Sequence, residues 1–196
     1  MIYSKKRKSN ARQEYKTQSL WERELRKTSG DTTASKNIKG SGKTLSKNVL
    51  IVLGGLPASG KSTYAEMLAE SGIFQRVCPD LIRKALYGDE NIQGDGARVF
   101  KIAYHDIREY GCLSENVVFD ATNINADRRK ELVKSMRGYF DIIIFKWFDT
   151  PLDICKERNA KRERVVPEEV LKRMWFNFEE PTMEEGWDYI EKIKNY

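Results

Sequence analysis

The residues best suited to chemistry stand together in one stretch, Gly55-Leu56-Pro57-Ala58-Ser59-Gly60-Lys61-Ser62. Before it, Val49-Leu50-Ile51-Val52-Leu53 is a short, β-branched apolar run that reads as a strand, and Thr63-Tyr64-Ala65-Glu66-Met67-Leu68 after it reads as helix. A strand, a glycine-rich turn and a helix start make a phosphate cradle: backbone N–H groups must converge on several phosphate oxygens, which needs small residues and unusual dihedrals. The helix N-terminus adds partial positive charge to the same spot. Lys61 can then reach the β- and γ-phosphates of a nucleoside triphosphate, and the Ser62 hydroxyl can ligate Mg²⁺. A near-copy, Gly40-Ser41-Gly42-Lys43-Thr44, lacks both the first glycine and a preceding apolar strand, and reads as a flexible polar segment.

Two acids follow other apolar runs. Asp80 comes after Phe74–Val77, a second expected strand, and lies three residues before Arg83, so at a helix start the two side chains share a face. A carboxylate there could take a proton from an attacking hydroxyl while Arg83 grips a phosphate of the acceptor; a helix cap beside a surface arginine is the plainer alternative. Asp120 follows the buried run Val117-Val118-Phe119, an arrangement that orients Mg²⁺ or its water ligands. Thr122, Asn123 and Asn125 come next in an open turn, then Asp127-Arg128-Arg129 begins a helix. Amides clustered at a strand end lower stability unless they bind or cap something. Capping suits Asn125, Asn123 is the better ligand candidate, and Arg129 suits either role. Arg158, Lys161, Arg162 and Arg164 form a basic run, with Arg158 and Arg162 on one helical face as a lid over phosphates requires, or as a solvated charged helix displays.

These residues need a scaffold, and the periodicity provides one from Asn48 onward. Helices are expected over 61–71, 81–86, 97–113, 127–137, 151–160 and 167–178, with strands at 49–53, 74–77, 117–119 and 142–148, and a small closing strand within Gly186–Ile193. Alternating strands and helices imply an α/β fold with a mostly parallel sheet covered on both faces, whose ligands collect at the carboxyl ends of the strands. The P-loop, Asp80 and Asp120 then share one rim. His105 reads as a helical residue and not a base. Trp175, Phe176 and Phe178 read as a packing stripe in the core and not as a base-stacking platform.

The 196 residues, 40% hydrophobic, supply one core. Residues 1–47 hold 13 Lys/Arg against 4 Asp/Glu, whereas the remainder holds 22 against 25, so the net charge of +6 belongs to the N-terminal extension. That extension carries the basic run Lys5-Lys6-Arg7-Lys8, a short helix near 14–27 with a small apolar stripe, and a polar linker; it reads as a solvated, partly disordered arm or as a docking arm for nucleic acid or a partner. No apolar run is long enough for a membrane span. Cys78, Cys112 and Cys155 show neither disulfide nor zinc spacing, and a reducing cytoplasmic compartment is expected.

Taken together, these pieces resemble the polynucleotide 5′-hydroxyl kinase family, the kinase domain of the bacteriophage enzyme and the kinase half of the eukaryotic polynucleotide kinase/phosphatase. The resemblance runs through Gly54–Thr63, Asp80-Leu81-Ile82-Arg83, Asp120-Ala121-Thr122-Asn123-Ile124-Asn125 with Arg128-Arg129, Phe148-Asp149-Thr150-Pro151 with Arg158-Asn159 and Arg162, and Phe178–Thr182 with Glu185-Gly186. It implies a P-loop NTPase-type three-layer sandwich over 48–196 with a helical lid, using ATP and Mg²⁺. It implies Asp80 as general base, and Gly55, Pro57, Ala58, Ser59, Gly60, Lys61, Ser62 and Thr63 around the nucleotide. Arg158 and Arg162 would act from the lid, Ser62 and Asp120 at the metal, and Arg83, Thr122, Asn123 and Arg129 toward the substrate. The acceptor would be the 5′-hydroxyl end of DNA or RNA, with any phosphatase or ligase step in separate proteins. Where the phage enzyme has an acid immediately before Thr-Asn, Ala121 stands here. Asp-Ala-Thr-Asn is the form of the wider group of small P-loop kinases, so a small-molecule or other hydroxyl acceptor is a second expectation and a nucleotide-gated adaptor without kinase activity a third.

Overall fold

In a computed structural model, residues 47–89, 92 and 94–196 are described; the basic arm, its short helix and the P-loop near-copy lie outside the described residues. Five strands form one sheet, β1 (Val49–Gly55), β2 (Phe74–Val77), β3 (Asn116–Phe119), β4 (Ile142–Phe148) and β5 (Tyr189–Ile193). Their order is β2-β3-β1-β4-β5 and every pairing is parallel, so the expected mostly parallel sheet is parallel throughout. Among the described residues six helices pack with it: α1 (Lys61–Glu70), α2 (Pro79–Tyr87), α3 (Gly96–Cys112), α4 (Ala126–Met136), α5 (Leu152–Ala160) and α6 (Glu168–Phe176), with a 3₁₀ turn at Met183–Glu185.

The central strand explains the architecture. Every residue of β1 is buried, as a parallel strand covered on both faces must be. Leu50 and Val52 pack with Phe119 and Phe145 against Ile107 of α3 and Leu132, Val133 and Met136 of α4. Val49, Ile51 and Leu53 alternate to the opposite face, where Tyr64 of α1 meets Phe148 with ring centroids 5.7 Å apart. The strand ends in glycines for a steric reason: a Cβ on Gly54 would stand 2.1 Å from Phe145 Cζ. The carboxyl ends of β1, β2 and β3 therefore line up on one rim, with the turns that follow them free to meet.

One expectation about the core is overturned. The helix carrying the supposed aromatic stripe stops at Phe176, its only buried residue is Leu171, and Trp175 and Phe176 are 55% and 83% exposed. Adjacent residues on a helix point about 100° apart and cannot share one buried face. Phe178, beyond the helix end, is the one that packs, stacked on Trp147 at 5.5 Å.

Candidate active site

Between β1 and α1 the backbone does what a phosphate-wrapping turn requires. Gly60 is left-handed at φ 100°, and Ala58 also has positive φ. Ser59 is fully buried and its N–H donates to the Leu56 carbonyl at 3.2 Å, closing the turn. The Lys61 ammonium lies inside the loop, donating to the Leu56 carbonyl at 2.5 Å and to Ser59 Oγ at 3.2 Å. Pro57 sits half-buried in the turn, and Ser62 and Thr63 face outward from the first turn of α1.

Burial pushes the Lys61 ammonium down to about 8, with the negative charge of Asp120 the main opposing influence and Arg162 and Asp80 also acting on it. Because the folded value lies below the ordinary 10.5, the unfolded chain binds the proton more tightly, and raising pH from about 8 to 10.5 favours the folded protein without nucleotide. A polyphosphate beside the ammonium reverses this by favouring its charged form. ATP binding is thus expected to take up a proton above about pH 8 and to weaken as pH rises further. Calorimetry in buffers of different ionisation heat measures that uptake; pH-independent affinity from 7.5 to about 9.5 would contradict it.

Ser62 Oγ donates to Asp120 Oδ1 at 3.3 Å, which brings the helix start and the end of β3 together. The other oxygen of Asp120 accepts from Arg76 Nη2 at 2.6 Å and Nε at 3.2 Å, and Arg76 reaches on to Glu66 at 3.0 Å. No group of three or more His, Cys, Asp or Glu able to hold a metal occurs among the described residues. One hydroxyl and one carboxylate suit Mg²⁺, which keeps waters and phosphate oxygens in its shell and needs few protein ligands. Arg76 was not legible as a functional residue. Its signal, a guanidinium inside a four-residue strand flanked by buried Phe74 and Val77, is explained by the carboxylate it holds.

Asp80 opens α2 behind Pro79, and the N-cap position belongs to Cys78, so Asp80 is not the cap. Its side chain is 51% exposed and lies between two guanidiniums, Arg83 Nη1 on one oxygen and Arg164 Nη1 at 3.0 Å on the other. Arg83 is largely buried and its Nε has no hydrogen-bond partner among the described residues. An orphaned buried donor is costly unless a ligand oxygen satisfies it. Arg164 comes from the loop after α5, which Asn159 pins by exchanging two hydrogen bonds with Val166, at 2.8 and 3.0 Å. Arg162 lies exposed in the same loop. Arg158 instead donates to the Asn195 carbonyl at 2.7 Å, and Asn195 in turn donates to the Ser59 carbonyl at 2.8 Å and accepts from Thr150. Arg158 thus braces the phosphate loop through Asn195, a residue that nothing in the local sequence pattern singles out.

The turn after β3 closes the other side. Gly55 N–H donates to the Thr122 carbonyl at 2.9 Å, and Asn123, left-handed at φ 42°, donates its amide to the Leu53 carbonyl at 2.6 Å. Asn125 is the cap of α4, accepting from Arg128 N–H. Arg129 requires a correction as a substrate candidate. It is 1% exposed, forms a two-pronged pair with Glu185 at 2.7 Å on both arms, and gives a third hydrogen bond to the Asn123 carbonyl at 3.0 Å. Trp187 also donates to Glu185, whose carboxyl is held low by the Arg129 and Trp187 hydrogen bonds against the opposing effect of burial. Arg129 therefore supports the Thr122–Asn123 turn from beneath. His105 is exposed on α3, and Cys78, Cys112 and Cys155 are all free thiols.

The profile of a protein family described as AAA domain matches residues 50–181. Among curated relatives, the chain is 27% identical to an L-seryl-tRNA(Sec) kinase of Methanococcus maripaludis over 71% of this chain and 56% of that protein. It is 24% identical to a bifunctional polynucleotide phosphatase/kinase of Schizosaccharomyces pombe over 74% of this chain and 33% of that protein. Among solved structures, one of a Pnkp1/Rnl/Hen1 complex is similar with a TM-score of 0.53 at 28% identity, covering 62% of this chain and 42% of the other. The chain spans about half the length of the first curated relatives it matches. No helix among the described residues is long and apolar enough to cross a membrane.

Proposed function

The chain belongs to the AAA domain family and is a P-loop domain of the kinase type, and from that premise we propose that it transfers the γ-phosphoryl group of ATP to the 5′-hydroxyl end of a polynucleotide. The observation that carries this reading is the pairing, on one rim with Lys61, of an accessible carboxylate at Asp80 with a buried arginine at Arg83 whose Nε lacks a partner. A hydroxyl that needs a base, next to a phosphate that needs a guanidinium, describes a nucleotide carrying a 5′-hydroxyl and a 3′-phosphate.

In this scheme the N–H groups of the phosphate loop and Lys61 bind the β- and γ-phosphates, and Arg162 reaches them from its loop. Ser62 and Asp120 would hold Mg²⁺, which would supply charge neutralisation at the phosphates. Asp80 accepts the proton of the 5′-hydroxyl as the O5′–Pγ bond forms and the bond from Pγ to the β-phosphate oxygen breaks, so that ADP leaves and the proton remains on the carboxylate. Before that, one oxygen of Asp80 must be freed; an acceptor phosphate that takes Arg83 would release the oxygen Arg83 holds, leaving Arg164 on the other. The side chains of Thr122 and Asn123 border the acceptor, and Arg129 fixes their turn without touching it.

The relatives named above include enzymes with different acceptors, so the acceptor itself is the test. Labelled ATP is offered with a 5′-hydroxyl oligonucleotide, a nucleoside 3′-monophosphate, the matching nucleoside, a sugar acid and an aminoacylated tRNA. The expected result is transfer to the first two and at least tenfold less to the nucleoside, for want of a charge-assisted contact to Arg83. Transfer confined to the sugar acid or to the aminoacyl group overturns the polynucleotide assignment, and ATP binding with no acceptor-dependent product favours an adaptor.

A further inference from the structure

The exposed end of α6 carries groups that phosphoryl transfer leaves unused. Trp175 and Phe176 display large aromatic faces to solvent, and beside Phe176 runs a groove of about 590 Å³. Ile124 and Asn125 form one wall, so the groove begins one residue past Asn123 and continues the acceptor turn. Phe178 lines it too, immobilised by its stack on Trp147, over whose ring the Lys192 ammonium stands at 3.9 Å.

The groove offers an open guanidinium to an anion. Its one carboxylate, Glu179, is committed: the Glu179 side chain accepts from the Ala126 N–H at the start of α4, while its backbone N–H donates to the Ile124 carbonyl at 3.0 Å. Arg128 faces the groove, and Arg173 lies three residues before Phe176 on the same side of α6. Neither guanidinium is in an ion pair among the described residues, although most of the other basic residues along α5 and α6 are tied to acids. An aromatic face beside a guanidinium outside any ion pair suits a single strand, whose bases stack without regard to sequence and whose phosphates pair with arginine. A helical or membrane partner would want a continuous apolar face, and here Asn177 separates Phe176 from Phe178 and the groove is also lined by Asn125, Arg128 and Glu179.

We infer that this groove, with Phe176 as its stacking face and Arg128 as a phosphate contact, holds the unpaired nucleotides that follow the acceptor's terminal residue, with Trp175 and Arg173 on the adjoining surface of α6. The inference rests on the polynucleotide reading for its direction of approach. Its own content is a single-strand platform.

The test uses the full chain and the variants Phe176→Ala, Trp175→Ala and Arg128→Gln, with Phe176→Tyr to restore a stacking face. Fluorescence anisotropy with a labelled 5′-hydroxyl dodecamer measures Kd across salt concentrations, and transfer kinetics compare the dodecamer with a nucleoside 3′-monophosphate. Phe176→Ala is expected to raise the dodecamer Kd about tenfold, to lower by about tenfold the ratio of kcat/KM for dodecamer over mononucleotide, and to be rescued by Phe176→Tyr. Arg128→Gln should reduce the salt slope by about 0.7. Unchanged unfolding temperatures show that the fold is intact, as exposed positions predict. If the wild-type protein phosphorylates neither acceptor but the variants still weaken dodecamer binding, the platform stands and the proposed reaction falls. A dodecamer Kd unchanged in all three variants, equal losses on both acceptors, or a wild-type protein that binds no dodecamer each overturn the platform and leave the aromatics to a protein partner.

Discussion

Replacing Asp80 by asparagine is expected to lower kcat for a 5′-hydroxyl oligonucleotide by about 10²–10⁴-fold, the usual contribution of a positioned general base, with ATP affinity changed by less than about threefold. The asparagine keeps size, and its one carbonyl oxygen can still accept from either Arg83 or Arg164, which hold this side chain in the protein without ligands. It cannot take the proton of the attacking hydroxyl. Because Asp80 is half exposed, breaking its ion pairs changes stability by no more than about 1 kcal/mol, so lost activity cannot be assigned to unfolding. Steady-state kinetics with a thermal melt of each variant provides the check. Near-normal turnover in Asp80→Asn would remove Asp80 from the chemistry and leave its two arginines as its only role.

Lys61→Met should be costly in a different way. Lys61 is buried in the phosphate loop, donating to the Leu56 carbonyl and Ser59 Oγ, and it is the only lysine ammonium in that turn. Removing a preorganised charge at the transferring phosphoryl group typically lowers kcat by about 10²–10³-fold. Without nucleotide, however, the substitution relieves the desolvation that depresses the ammonium to about 8. The variant is therefore expected to melt at or above the wild-type temperature when empty, and to show a smaller upward shift on adding ATP. Titrating ATP in thermal melts separates the two effects; a variant that melts lower when empty but keeps the full ATP shift would contradict this account of Lys61.

How much of this was readable from residues alone follows from the range over which each interaction acts. The strands and the phosphate loop were legible because their signals are local: β1 is an unbroken apolar run, and Gly60 sits where the backbone needs positive φ. The closing strand at Tyr189–Ile193 was weaker, since none of its residues at the sheet edge is fully buried. What the sequence did not disclose depends on partners far along the chain. Arg129 looks like any surface arginine of a charged helix until Glu185, 56 residues later, is found against it. Arg164 was visible within a basic run, but its ion pair with Asp80 joins residues 84 apart. Trp175 and Phe176 were misplaced into the core because aromatic content was weighed ahead of helical direction.

The buried bridge between Arg129 and Glu185 has a consequence for how this protein can diverge. Losing one partner alone would strand the other's charge in a dry interior, at a typical cost of about 3–5 kcal/mol, whereas a matched apolar pair could be nearly neutral. Each site is thus locked by its counterpart, and in descendants of this chain the two are expected to be inherited jointly or exchanged jointly, with single replacements purged in between.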